Sequence, residues 1–433
     1  MIRLGHGTAP LPVATGEAMG GYADRDSGVG GIQDPLEVHA IVVDAGDSRD
    51  SRWALVVADL VCVNRDAVLA VREALRARLA ITGAWVAATH THAGPESGCH
   101  PGGAVTPPTV LGRLVEASVA AVRLAIQEQV ASRVDVVRVD VTGLAGDRTA
   151  SATEPQGVPV DLVVASRKGH VEGLLVVTPV HPTVLGAENS CVSADLCGGI
   201  RRALLRRLQE RQTGGPWVVS ATGAAGDIST RFSRRGRVAP EIERLGEVLA
   251  DAVTPALDEI LARKHPAEAG DASAATVAKA QTVTLKPKPA SALSNELSPA
   301  GTRGRDSRDA RLLHVLRQGV EIASRRQASE YMDELSIDVE VAQLPGVTLV
   351  AVPAELFLSL GNDIRRRSPV PERTVVLGYT NGYLGYLPTR AANVGYEVLV
   401  SPVAPGSGEH VVDVAVDLAR RAHDSKEEEQ SVV

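Results

Sequence analysis

The sequence predicts an α/β protein, with a mixed, largely parallel β-sheet core flanked by helices in one large domain. Three observations carry that expectation. Apolar runs alternate with helical periodicity: Trp53–Ala58, then an amphipathic stretch over 65–80, then a second apolar run over 84–90. Strand, helix, strand implies parallel pairing through a right-handed crossover. The chain has 433 residues, 44% hydrophobic and 22% charged, as expected of a globular protein with a sizeable core.

Residues 1–35 hold two glycine segments, Met19-Gly20-Gly21-Tyr22-Ala23-Asp24-Arg25 and Gly28-Val29-Gly30-Gly31-Ile32. They read either as loops whose backbone a ligand can approach closely or as plain surface turns. Val38–Val43 is a strand closed by the turn Asp44-Ala45-Gly46-Asp47. After the first strand–helix–strand unit come a helix over 109–130 and a valine-rich strand over Arg133–Val141, with Arg148 in the loop beyond. Leu174–Val180 is a further strand, followed by a helix over 194–211 and a strand over 217–221. That strand runs into Gly223-Ala224-Ala225-Gly226-Asp227-Ile228-Ser229, a glycine loop able to expose backbone donors. Helix 239–264 contains Pro255. The polar stretch 286–308 reads as a surface loop or lid, because helix 309–327 and strands 336–343 and 347–352 resume the same alternation. Helix 409–423 closes a domain spanning 1–424, leaving a charged tail over 425–433.

Composition excludes several classes. The net charge of −7 comes without a basic block, which argues against nucleic acid and anionic membrane surfaces as partners. No apolar run reaches membrane-spanning length, and the start lacks the pattern of a secretion signal, so a cytoplasmic location is expected. The four cysteines read as free thiols. A small-molecule partner remains, and a homo-oligomer stays open.

The chemistry concentrates where strands end. Ala88-Thr89-His90-Thr91-His92-Ala93-Gly94-Pro95 brings two histidines two residues apart, which on a strand share one face. That spacing suits a metal site, or one ligand beside one acid/base group, and equally a pair of strand-end histidines with no such role. Asp59 and His181 also stand at the carboxyl ends of strands, the edge where open α/β sheets bind ligands. Glu355, after Val352-Pro353-Ala354, fits the first turn of a helix. Four of the six tyrosines fall between 379 and 396, interleaved with glycines as in a loop lining a pocket.

In this order the segments resemble the catalytic domain of neutral (non-lysosomal) ceramidases, without that family's C-terminal β-sandwich. Ala88–Pro95 is similar to the family's Thr-His-Thr-His-Ser-Gly-Pro, and Pro179-Val180-His181-Pro182-Thr183 to its second histidine segment. Gly226-Asp227-Ile228-Ser229 resembles its Gly-Asp-(Val/Leu)-Ser-Pro loop, with Thr230 in place of the proline. Pro353-Ala354-Glu355 and the tyrosine loop 378–397 match two further segments. The resemblance implies zinc (Zn2+) held by His90, His181, Glu355 and Tyr386, with His92, Arg148, Ser229 and Tyr396 facing a substrate. It implies hydrolysis of the amide bond of an N-acyl amine by metal-activated water. Asp59, near by strand order, is expected to orient an imidazole. With two Phe and three Trp an aromatic membrane-docking face is not expected, so the substrate is read as soluble or modestly lipophilic. The alternatives are an acyl transferase or cyclase forming an amide at the same site, a non-catalytic zinc-binding relative, and a thiol enzyme using Cys99 beside His100.

Overall fold

The structure, a computed structural model, describes residues 2–44, 46, 52–100, 102–149, 157–262, 276–289, 310–328 and 335–431, with the helix ends 310–313, 326–328 and 426–431 described by their backbone. Most of the polar stretch read as a loop or lid, residues 290–308, lies outside them.

Among the described residues one unit recurs three times. In the first, β1 (Ile2–Pro10), β2 (Glu37–Asp44) and β3 (Arg52–Ala58) pair antiparallel in succession. Helix α1 (Arg65–Leu79) then crosses over to β4 (Gly83–Ala88), parallel to β3, and α2 (Pro108–Gln127) packs back on β1 and β2. The second unit repeats this with β5 (Val130–Val141), β6 (Val158–Arg167), β7 (His170–Thr178), α3 (Asp195–Gln209), β8 (Trp217–Thr222) and α4 (Ala239–Ala262). The third begins with β9 (Val277–Leu285) and, after helix α5 (Ala310–Ala328), continues with β10 (Leu335–Leu344) and β11 (Val347–Ala351). Helix α6 (Leu358–Arg367), β12 (Thr374–Leu377) parallel to β11, the short α7 (Tyr396–Val400) and α8 (Ser407–Ser431) complete it. The stretch expected as a tail from 425 is thus helical to Ser431.

The first two units join through Ile2–Leu4 and Val130–Ser132, giving an eight-stranded sheet of order β8-β7-β6-β5-β1-β2-β3-β4. The third forms a four-stranded sheet, β9-β10-β11-β12. The mixed, helix-flanked sheet matches the expectation, but "largely parallel" needs correction. Within these two sheets only β3/β4, β7/β8 and β11/β12 are parallel, and the other ladders are antiparallel. A parallel neighbour needs a crossover helix, and each unit supplies one such helix between its third and fourth strands.

Both faces of the large sheet are covered, which explains its unbroken apolar runs. On β3, Ala54, Val56 and Ala58 join the core beneath the helices, whereas Trp53, Leu55 and Val57 pack against Leu349, Ala351 and Leu377 of the small sheet. The opposite face of the small sheet buries Val339, Val341 and Val350 with Val411, Val412 and Ala415 of α8. The layers therefore run helix, sheet, sheet, helix.

The fourth strands of the three units interlock at their carboxyl ends. Thr222 Oγ1 donates to Thr89 O at 2.6 Å, Gly378 N to Thr222 O at 3.1 Å, and Asn381 N to Val86 O at 2.8 Å. At one crossing a side chain has no room: a Cβ on Gly226 would lie 2.4 Å from Glu355 O. Gly226→Ala is therefore expected to destabilise the fold by about 1–3 kcal/mol, as overpacked cores do, read as a lower urea midpoint.

Candidate metal centre

Strand β4 stops at Ala88, short of the histidines expected on it. His90 sits in left-handed backbone at φ +64°, a conformation costing a non-glycine residue about 1–3 kcal/mol. That turn, rather than strand alternation, brings His90 and His92 together, with Nε2 atoms 3.1 Å apart. Two residues beyond the strand end, His90 Nδ1 donates to Val61 O at 2.6 Å. His181, three residues past β7, is held in the same way by Ala225 O at 2.6 Å. With both Nδ1–H groups committed to carbonyls, both Nε2 lone pairs point inward, and they face one another at 3.1 Å.

Glu355 follows β11 and closes the set. Its Oε2 lies 2.9 Å from His181 Nε2 and 3.4 Å from His90 Nε2. Tyr386 is placed by a two-residue parallel bridge that pairs it with Glu355, and its ring stacks on His181 at 6.2 Å. Arg148 reaches in from the loop after β5. Its Nη2 donates to Tyr386 OH at 3.1 Å and to Gly226 O at 2.7 Å, and its Nε pairs with Glu397 Oε1 at 2.9 Å.

His92 differs from the other two imidazoles. Its Nδ1 has no hydrogen-bond partner, and it is packed by the first glycine loop. The Tyr22 ring meets it edge-on at 4.8 Å, a Cβ on Gly21 would lie 2.6 Å from its ring, and Arg25 donates to its carbonyl at 2.7 Å. That loop is thus an ordered wall of the site. Burial and the neighbouring imidazoles hold His92 well below its ordinary value of 6.5, and burial with the Arg148 charge brings His181 down to about 3. Both therefore offer lone pairs throughout the neutral range.

Other residues singled out in the sequence stand apart. Asp59 does not face an imidazole: both oxygens accept from Arg201, at 3.0 and 2.8 Å, and one also accepts from Glu37 N. Main-chain carbonyls do the orienting expected of it. Ser229 Oγ accepts from Arg231 N at 3.3 Å, capping the turn that follows. Tyr396 meets the Tyr386 ring edge-on at 6.0 Å. Burial pushes the Cys99 thiol well above its ordinary range, which removes the thiolate that a thiol enzyme needs. Three residues of the site have no role assigned by the resemblance: Tyr383, whose hydroxyl donates to Glu355 Oε1 at 2.5 Å, Tyr379, stacked on His90 at 4.1 Å, and Glu397. All three lie in the tyrosine segment 378–397 that matches the family.

The donor set fits a cation. Two imidazole nitrogens 3.1 Å apart and a carboxylate oxygen converge, with Arg148 Nη2 3.2 Å from His181 Nε2, in an electron-rich cluster of ligand atoms that a cation suits. Tetrahedral zinc, with Zn–N bonds of about 2.0–2.1 Å, would space its nitrogens by roughly 3.3 Å. Among the described residues, His90, His92 and His181 are the group of nitrogens close enough together to share an ion.

Fold and site together define a helix-flanked, mixed-sheet protein with a buried histidine–carboxylate centre built at strand ends. No family model matches the sequence, and no curated protein does. Solved structures do. The chain superposes on a ceramidase complexed with C2 with a TM-score of 0.73 and 18% identity, covering 98% of this chain and 75% of that one. On neutral ceramidase from Pseudomonas aeruginosa the TM-score is 0.71 with 17% identity, covering 96% and 74%. The chain thus has the neutral ceramidase fold over nearly its whole length.

Proposed function

We propose that the protein is a zinc-dependent amidohydrolase that cleaves the linear amide of an N-acyl amine, soluble or modestly lipophilic. The observation that carries this reading is the convergence of two carbonyl-tethered imidazoles and one carboxylate oxygen within 2.9–3.4 Å, on the fold of a ceramidase. His90, His181, Glu355 and Tyr386 would hold the ion. A bound zinc supplies Lewis acidity and brings the pKa of water to about 7.

The protein's own groups do the rest. His92, untethered at Nδ1 and neutral, suits a base better than a ligand. It accepts a proton as water adds to the amide carbon and returns it to the departing amine. Arg148 and Tyr396 hydrogen-bond the oxygen on which charge develops. Ser229 lines the substrate side. No helix among the described residues is long and apolar enough to cross a membrane. The four cysteines are free thiols, which accords with a cytoplasmic site of action.

The test is a panel of N-acyl amines, ceramide included, incubated with zinc-loaded protein while liberated amine is measured. Turnover of at least one soluble N-acyl amine is expected, and no amine from any member sinks the reading.

A further inference from the structure

We propose that Tyr383 is a positioning residue that makes Glu355 a single-oxygen ligand, by holding Oε1 so that only Oε2 is offered to the ion. The inference rests on the metal centre proposed above. Tyr383 OH donates to Oε1 at 2.5 Å, and both side chains are buried. The other oxygen, Oε2, has no hydrogen-bond donor of its own and faces His181 and His90 at 2.9 and 3.4 Å. The two oxygens of an ionised carboxylate are otherwise equivalent, so nothing within Glu355 itself decides whether one or both would ligate.

Tyr383 cannot readily swing away, because the chain just beyond it is pinned. Leu384 N donates to Pro353 O at 2.8 Å, Gly102 N to Leu384 O at 2.6 Å, and Glu355 N to Gly385 O at 2.9 Å. The same short ladder that seats Glu355 therefore seats the phenol that holds it. The consequence is a coordination count. Hydrolytic zinc sites keep a position open beside their protein ligands. A carboxylate free to use both oxygens would compete for that position, whereas one held at Oε1 would not.

Cobalt-substituted protein reads this directly, since cobalt's visible bands weaken as its coordination number rises. Tyr383→Phe is expected to take up one cobalt per chain with visibly weaker bands, and to lose kcat about tenfold to hundredfold while KM changes little. Tyr379→Phe removes a buried hydroxyl that has no partner, and is expected to keep the wild-type cobalt spectrum. A Tyr383→Phe spectrum superimposable on wild type overturns the proposal. X-ray absorption at the zinc edge of the wild-type protein decides independently of how the variant folds. One carboxylate oxygen at about 2.0–2.2 Å supports it, and two ligating oxygens from Glu355 overturn it. Wild-type protein that takes up neither metal overturns the centre itself, and this inference with it.

Discussion

His90→Ala is expected to abolish stoichiometric zinc and to lower kcat/KM by about 10³-fold or more, beyond the 10–100-fold typical of removing an outer partner. His90 is the imidazole from which the others are measured: His92 Nε2 and His181 Nε2 each lie 3.1 Å from its Nε2, and Glu355 Oε2 lies at 3.4 Å. Removing it leaves His181, Glu355 and Tyr386 without the fourth donor of the proposed set. His92→Ala is the informative companion. A proton-transfer residue supplies about 10²–10⁴ in rate, so this variant is expected to lose turnover yet keep zinc. Metal analysis beside amine release separates the two roles. Zinc lost equally from both variants would instead make His92 a ligand, as a three-histidine site requires. Zinc and rate unchanged in His90→Ala would end the metal reading.

The fold was legible where period and burial speak for themselves. Trp53–Ala58 is apolar without a break because one face meets helices and the other meets a second sheet. Strand direction was not legible, since a valine-rich run pairs equally well either way. Nor was the threefold recurrence, which lives in the order of pairing rather than in any repeated motif. At the site, His-x-His pointed to a shared space for a reason the backbone does not use. The left-handed turn at His90 occurs without the glycine that would have announced it. Tyr383 and Glu397 lay inside the tyrosine segment already read as pocket lining, but a hydrogen bond to Glu355 or an ion pair with Arg148 depends on loops meeting in space.

Asp59 is the sharpest case, because the recurrence explains both the expectation and its failure. It follows β3 as His181 follows β7 and Glu355 follows β11, so strand order alone assigns it to the centre. Its partner, Arg201, lies 142 residues further on in α3. Asp59 is fully buried and Arg201 nearly so. Asp59→Ala leaves a guanidinium in the interior with no counter-charge, and is expected to cost about 3–5 kcal/mol of stability. Replacing both residues by apolar ones of similar size, Asp59→Leu with Arg201→Met, is expected to restore most of it. Burial by itself would raise the Asp59 carboxyl, but Arg201 beside it outweighs this and holds it below its usual range. A depressed carboxyl contributes its stability in full above the ordinary carboxylate value and loses it as pH falls through the folded one. The wild type is therefore expected to lose stability in acid more steeply than the double variant. Urea unfolding at pH 7 and at pH 3 reads both effects. Zinc content per folded chain, measured on the same samples, is expected to stay at the wild-type level. Zinc lost from the folded Asp59→Ala chain would return Asp59 to the metal centre.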